Sequence, residues 1–439
     1  MRADGASTTL LNFFTFFGVL AAAAVFGTSV SASEQPLVGS QSAQALRDKG
    51  AMSLPDALAL ALHTHPLIAS REGEYQAAQG ELQATRWSRF PTLAVNAQAV
   101  ANSAKQRSAS VSQPLWTGGR LSGQVDSATA FRDMARADID DARQIVLTDT
   151  ANAFVDLERS ERKAAIAAAN VREHQRLYDI IQRRVEASTS PDVDAMLALA
   201  RLSYSKSQQL QFANARSIAL AQLEQLVGLP VPAIVPPRPL ALGYETFTQL
   251  QVAVLAYSPQ LKRLTSQQSG LEANLKVAKS ALYPQVSLGY ERRFGELLFA
   301  QEREQIYVAI DFQPGAGLSS RATISAAGAR KRAAAHSLVA ARRDLLRQVQ
   351  TTWGERDLAL LQVSPSERLV AATSEVVDSY LRQYRVGRKS WLDVLNAQRE
   401  VVQAEYTLVD YQSLLLGASY RLAILAGDLT SEMLVDPRG

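Results

Sequence analysis

The stretch that decides the fold lies near the C-terminal end: Tyr384-Arg385-Val386-Gly387-Arg388-Lys389-Ser390-Trp391-Leu392-Asp393-Val394-Leu395-Asn396-Ala397-Gln398. Arginine-rich helical sequence runs into it, and a second helical pattern leaves it with Val394, Leu395, Val401 and Val402 on one side. Gly387 reaches left-handed dihedrals at no steric cost, so it is the natural C-cap of the incoming helix. Ser390 can cap the outgoing helix, and Asp393 stands in its first turn, where a carboxylate favours the helix dipole. The stretch therefore reads as the tip of a long antiparallel helical hairpin. An earlier stretch, Arg184-Val185-Glu186-Ala187-Ser188-Thr189-Ser190-Pro191-Asp192-Val193-Asp194-Ala195, repeats it, with Ser190 as N-cap and Pro191 at the first helical position. Two such tips, about 200 residues apart, mean that the chain was built twice.

Working outward, the duplication extends to the prolines. A capped helix from Ser53 stops near His65-Pro66, and a second helix runs from Pro66 until Phe90-Pro91 breaks it. The later copy has a short helical pattern from Tyr244 to Tyr257, a break at Ser258-Pro259, and a helix broken at Tyr283-Pro284. Pro66 and Pro91 stand 25 residues apart, as do Pro259 and Pro284, and an aromatic residue precedes the second proline each time.

After each aromatic-proline pair the hydrophobic period changes from helical to two. Leu93, Val95, Ala97 and Ala99 alternate with polar or small neighbours, then a polar break leads to the run Ser108 to Pro114. In the second copy Val286, Leu288 and Tyr290 alternate, and after a charged turn so do Ile306, Val308, Ile310 and Phe312. Each half thus holds one hairpin of strands about ten residues long, enough to cross an outer membrane when tilted. A soluble hairpin on a helical protein is the other reading of the same alternation. Four strands cannot close a barrel, and lipid tolerates no open sheet edge, so membrane-spanning strands would require several chains to share one barrel.

Helical sequence then runs nearly unbroken from Leu121 to about Ala187, with Ala128, Phe131, Ala135, Ile139, Leu147, Ala151, Phe154 and Leu157 recurring at heptad-like steps. At about 1.5 Å per residue that stretch approaches 100 Å. The return helix spans Asp192 to Leu226, and a proline-rich connector beginning at Pro230 joins the halves. The second long helix starts near Ser319. Its basic stretch, Arg330 to Arg347, is either a solvated face or the lining of an aqueous duct. A capping box at Ser364-Pro365-Ser366-Glu367 predicts an interruption there, which the first half lacks.

The N-terminus reads as a cleaved signal segment: Arg2, an apolar run from Leu10 to Phe26, then small residues with Val30-x-Ala32 suited to cleavage after Ala32. An uncleaved anchor is the alternative. No other stretch is apolar enough for a spanning helix. The expected layout is a signal peptide (1–32), a first repeat (33–230, strands about 91–116, helical hairpin about 119–228), a connector (231–243), a second repeat (244–429, strands about 284–314, helical hairpin about 319–427) and a tail (430–439).

Chemistry is hard to find in this sequence. Lys and Arg total 46 against 42 acids, and the mixed net charge of +4 argues against a nucleic-acid surface. There is no cysteine, hence no disulfide framework and no thiolate metal site. His63 and His65 lie two residues apart and share no helical face, while His174 and His336 stand alone. Gly118-Gly119 lacks a phosphate-loop lysine and reads as a turn into the long helix. The aspartates Asp138, Asp140 and Asp141 fit a solvated helix face. No catalytic, cofactor or metal site is expected, and the chain does not read as an enzyme.

Two copies of helix, strand hairpin and long helical hairpin in an exported chain resemble the TolC family of outer-membrane efflux proteins. The resemblance covers about Ser53 to Leu429 and is carried by Tyr384-x-x-Gly387-x-x-x-x-x-Asp393-Val394-Leu395-x-Ala397-Gln398. It is supported by Phe90-Pro91, Tyr283-Pro284 and the run Gln113 to Arg120, with Trp116 a candidate for the membrane interface. It implies a mainly α fold with a transmembrane β part. The assembly would be a homotrimer sharing a 12-stranded outer-membrane barrel on a periplasmic helical tunnel, working with a periplasmic adaptor and an inner-membrane ABC or RND-type pump. In that family the tips close the periplasmic aperture. Tyr384 and Lys389 match linking positions, Asp393 matches an aspartate ring, and Asp192 matches the acidic partner on the first tip. Asn396 stands where some members carry a second aspartate, which implies a weaker cation-selective constriction. Helix capping explains Asp393 equally well. The Gln113 to Arg120 run and the Ser190-Pro191 tip look like channels of type I protein secretion. Drug or metal efflux is the alternative, and a periplasmic coiled-coil scaffold a third.

Overall fold

In the computed structural model the described residues are 50–98, 106–294 and 302–429. The expected signal segment, the lead-in as far as residue 49, the outer ends of both strand hairpins and the tail 430–439 lie outside them. The first half comprises α1 (Leu54–Thr64), α2 (Pro66–Trp87), β1 (Thr92–Gln98), β2 (Gln106–Trp116), α3 (Arg120–Glu186) and α4 (Asp192–Val227). The second comprises α5 (Phe247–Tyr257), α6 (Pro259–Ser280), β3 (Gln285–Phe294), β4 (Glu304–Asp311), a 3-10 turn (Ala316–Leu318), α7 (Ser320–Arg385) and α8 (Trp391–Ala426). The duplication is written in the lengths. Helices of 11, 22 and 36 residues recur in the same order, around long helices of 67 and 66 residues.

Local chemistry sets the starts. Ser53 and Asp56 form a reciprocal capping box for α1, and Thr246 and Gln249 do the same for α5. Pro66 and Pro259 occupy first helical positions, where a missing N–H costs nothing. His65 is the N-cap of α2, its Nδ1 accepting from the Leu67 N–H at 3.2 Å. That is a structural task.

The four strands form one antiparallel sheet in the order β1-β2-β3-β4. Its register separates two faces. Leu93, Val111, Tyr290 and Ile306 form one row across all four strands, and Trp116, Val286 and Ile310 form another on the same face. The opposite face carries rows such as Ser110, Glu291 and Gln305. Nothing among the described residues covers the apolar face, where Ile306 is 76% exposed and Ile310 70%. The outer edges of β1 and β4 pair with no strand among the described residues.

Beneath the sheet the helices form a layer in the order α2-α3-α6-α7, pinned by Ser127 Oγ to Asn274 Oδ1 at 2.9 Å and by Asp126 with Lys276 at 3.0 Å. Farther from the sheet α3 pairs with α4, and α7 with α8. A waist core unites Leu54, Leu58, Phe154, Leu157, Leu223 and Ile424, and a second unites Leu250, Val254, Leu345, Val349 and Leu422. The connector is tied to the waist by the Met52 N–H donating to the Ala233 carbonyl and the Val235 N–H to the Met52 carbonyl, both at 2.9 Å.

One expectation fails here. α7 runs unbroken through Pro365, and no capping box forms. Ser364 Oγ instead accepts from Arg368 Nη1 at 2.8 Å. Proline removes one donor, and the carbonyl it would have met belongs to Leu361, which is 73% exposed and can be hydrated. Packing at the buried Ala359 and Ser366 on either side holds the helix together across the gap. The basic stretch of α7 is solvated in the chain. Arg330, Arg332, Arg342 and Arg343 are exposed, Lys331 pairs with Glu272 and Arg347 with Asp344.

Candidate functional site

Both hairpins turn through the same backbone device. At the first tip the Ser188 N–H donates to the Val185 carbonyl and the Thr189 N–H to the Arg184 carbonyl, each at 2.8 Å. At the second, the Gly387 N–H donates to the Tyr384 carbonyl at 3.0 Å and the Arg388 N–H to the Gln383 carbonyl at 2.9 Å. Each is a Schellman closure with one residue in the left-handed region, Ser188 at φ 54° and Gly387 at φ 76°. Gly387 therefore sits one place beyond the C-cap, which is Val386.

The outgoing helices start differently. Ser390 caps α8: its Oγ accepts from the Asp393 N–H at 3.2 Å and donates to Asp393 Oδ2 at 2.8 Å, while the Ser390 N–H reaches Oδ2 at 3.1 Å. The Ser390 hydroxyl, the Ser390 amide and then the Lys389 charge hold the Asp393 carboxyl below its usual range. Ser390 and Asp393 thus take the capping roles expected of them. Ser190 does not. The N-cap of α4 is Pro191, with φ −68° and ψ 150°, and it has no side-chain bond to give. The proline ring fixes an extended entry, so the helix begins one residue late, at Asp192. Ser190 Oγ accepts from Arg184 Nε at 3.3 Å instead. The residue of the first tip that stands where Asp393 stands is Asp194.

The two tips are joined by an apolar cluster: Leu177, Ile181 and Ala198 of the first hairpin against Leu381, Val394 and Leu395 of the second. Tyr384 is buried in it, its ring centroid 5.2 Å from that of Trp391, and the Arg184 guanidinium lies 4.9 Å above its ring. The Tyr384 hydroxyl finds no hydrogen-bond partner among the described residues. Lys389 Nζ sits 4.2 Å over the Tyr380 ring. Of the four residues expected at an aperture, Tyr384, Lys389 and Asp393 gather on the second tip. Asp192 is exposed on the first, and Tyr384 meets Arg184 rather than Asp192. Arg184, Trp391 and Tyr380 are the participants that the sequence reading left unassigned. A signal existed for Tyr380, which lies four residues before Tyr384 on the same helix and so on its face; Trp391 begins the next helix and Arg184 belongs to the other hairpin, beyond any such spacing.

At the opposite end, Phe90-Pro91 and Tyr283-Pro284 mark the passages from helix to strand. Trp116 is exposed and meets the Tyr283 ring edge-on, centroids 6.1 Å apart, and Trp87 lies 5.1 Å from Phe90. Gly118, at φ 56°, has no room for a side chain, since a Cβ there would stand 2.7 Å from Tyr283 Cβ. His174 is buried between helices, and burial, then the Arg201 charge, pushes its pKa down. His336 and His63 are exposed. Among the described residues no helix is long and apolar enough to cross a membrane, and no three metal-ligating side chains converge.

Comparison with known proteins agrees with this architecture. The sequence profile of the family described as "Outer membrane efflux protein" matches residues 57–229 and 250–428. The pyoverdine export outer membrane protein OpmQ of Pseudomonas putida is 25% identical over 68% of this chain and 64% of its own length. The alkaline protease secretion protein AprF of Pseudomonas aeruginosa is 21% identical over 65% of this chain and 62% of its own. The chain therefore spans a little under two thirds of either relative. Among solved structures, the outer membrane protein VceC of Vibrio cholerae superimposes with a TM-score of 0.74 at 18% identity, covering 85% of this chain and 96% of that one.

Proposed function

Since the chain belongs to the outer membrane efflux protein family, we propose that it is the exit duct of a tripartite export system, most specifically one for type I protein secretion. The observation that carries the duct reading is the sheet. It has one apolar face, one polar face and two open edges, and it stands on helical hairpins of about 100 Å. Such a sheet is stable in lipid only when further copies close it into a barrel with the polar face toward water. Three copies give twelve strands, and their hairpins form the periplasmic tunnel.

In this reading the tips bound the periplasmic aperture. Asp393 and Asp192 supply its negative charge, and Tyr384 and Lys389 hold the second hairpin in place. Swinging that hairpin away from the first separates Arg184 from Tyr384. A cation on an aromatic face contributes about 0.5–2 kcal/mol, within reach of a docking adaptor coupled to an inner-membrane pump. The chain needs no chemistry of its own for this.

For cargo, the likeness to AprF, named for protease secretion, supports protein export. The likeness to OpmQ, named for pyoverdine export, favours a second reading, small-molecule efflux. Comparing secreted and surface proteins with and without the gene decides between them. Loss of one large exported protein with drug tolerance unchanged supports secretion, whereas an unchanged protein profile overturns it.

A further inference from the structure

The four places where a strand meets a helix share a composition that the duct reading does not use. They are residues 86–92, 114–120, 276–285 and 311–321. Together they carry Arg86, Arg89, Arg120, Lys276, Lys279 and Arg321 against a single carboxylate, Asp311. The chain as a whole is nearly balanced, so this excess is local. Two of the six cations are engaged, Lys276 with Asp126 and Arg120 with Gln285. Arg86, Arg89, Lys279 and Arg321 are exposed and form no ion pair among the described residues.

The same segments hold Trp87, Phe90, Trp116, Tyr283 and Phe312, all exposed. The register decides which side of the sheet they mark. Trp116 shares its row with Val286 and Ile310, and Phe312 lies two residues beyond Ile310, so both extend the apolar face at its helical end. Tyr283 packs edge-on against Trp116 and joins the same side. The apolar face thus ends in a belt of aromatic rings, and the same segments carry a collar of unpaired cations: Arg86 and Arg89 beside Trp87 and Phe90, Lys279 four residues before Tyr283, and Arg321 nine residues after Phe312. Toward the other end of β3, by contrast, Arg292 pairs with Glu304 and Arg293 with Glu291.

Aromatic rings with a polar tip settle at headgroup level, and cations just outside that level are drawn to anionic headgroups. We infer that this collar binds anionic phospholipid, of the phosphatidylglycerol type, in the membrane leaflet facing the helices. The inference rests on the reading of the sheet as membrane-spanning. It goes beyond that reading because a girdle of aromatics alone would accept any headgroup. The four free cations fix the oligomer's depth in the bilayer through the charge of the lipid.

The test uses the full chain, purified in detergent and reconstituted into phosphatidylcholine bilayers with and without an equimolar share of phosphatidylglycerol. Native mass spectrometry then counts the lipids retained. Insertion into both bilayers is expected, with phosphatidylglycerol retained over phosphatidylcholine by about tenfold or more, since each surface cation supplies about fivefold. The variant R86Q/R89Q/K279Q/R321Q should insert and lose the preference, and R86K/R89K/R321K should keep it. Inorganic phosphate should not displace the lipid. Equal retention of both lipids by the wild type, or a glutamine variant that keeps the preference, overturns the inference. If the glutamine variant does not insert, salt decides: an electrostatic preference collapses in raised salt, and one that persists overturns the proposal. Failure of the wild type to insert into either bilayer sinks the membrane reading itself, and the collar with it.

Discussion

The two hairpin tips are the same turn built from different residues. Five residues, 187–191 and 386–390, lie between the last residue of the incoming helix and the first of the outgoing one. The second tip fills every special position with a residue suited to it. Gly387 takes the left-handed position, Ser390 the cap, Asp393 the reciprocal acceptor and Trp391 the buried first helical place. The first tip puts Ser188, Pro191, Asp194 and the exposed Asp192 there. A duplicated scaffold has kept its backbone and varied its anchoring: the second tip has a buried tryptophan and a capping box, and the first has neither. Under the duct reading, the anchored tip carries the residues that close the aperture.

The largest way to break that contrast is Trp391→Ala. The side chain is 3% exposed and packs on Tyr384, and truncating a buried aromatic costs about 3–5 kcal/mol. Hydrogen exchange at the start of α8 should speed up accordingly, with the start of α4 much less affected. Equal acceleration at both tips would show that they are one cooperative unit rather than an anchored and a loose one.

Next in size is the difference between the long helices. Pro365 interrupts the hydrogen bonding of α7, and α3 carries Ala165 or Ile166 at about the same depth. Pro365→Ala restores a donor toward the Leu361 carbonyl and should stabilise the protein by up to about 3 kcal/mol. A raised melting temperature is the readout. A lowered one would mean that the proline ring itself is needed for packing.

The left-handed positions offer a reciprocal pair. Gly387→Ala should cost about 1–2 kcal/mol, and Ser188→Gly should recover up to as much at the other tip. Denaturant midpoints of the two variants should move in opposite directions. Movement in the same direction would show that the turns differ in more than these residues. Pro191→Ser is smaller still. With Asp194 three places on, it installs a capping box worth about 0.5–2 kcal/mol, against about 0.4–1 kcal/mol lost by freeing the unfolded chain. A slight net slowing of exchange at the start of α4 is expected.

Much of this was legible in the sequence because the signals were local. Gly387, Ser390 and Asp393 each act within one turn, and the paired prolines fix helix boundaries by removing donors. The alternation of Leu93 with its neighbours, or of Ile306 with its own, set the two faces of the sheet before any register was known. Other features depended on tertiary packing. Pro365 reads locally as a break, but buried contacts at Ala359 and Ser366 override it. Ser190 reads locally as a cap, yet Pro191 takes that place and Arg184 claims its hydroxyl. The stacking of Arg184 on Tyr384 joins residues 200 positions apart, so no spacing rule within one helix could announce it.

The smallest expected effect is also the most selective. The folded Asp393 carboxyl is held below its ordinary range by the Ser390 hydroxyl and amide. A group with a lowered folded pKa contributes stability above its unfolded pKa, and that contribution is lost as pH falls through the folded value. Near pH 7 the cap is therefore fully formed. Below about pH 4, the ordinary range of aspartate, protonation should weaken it, and the amides of Ser390 and Asp393 should lose protection relative to their intrinsic rates. The first tip has no such box, so the amides of Asp192 and Asp194 should show no matching step. Acid would then make the two tips alike, and S390A should abolish the step. A step of equal size at both tips would place its origin in the shared core around Leu177 and Leu395 rather than in the cap.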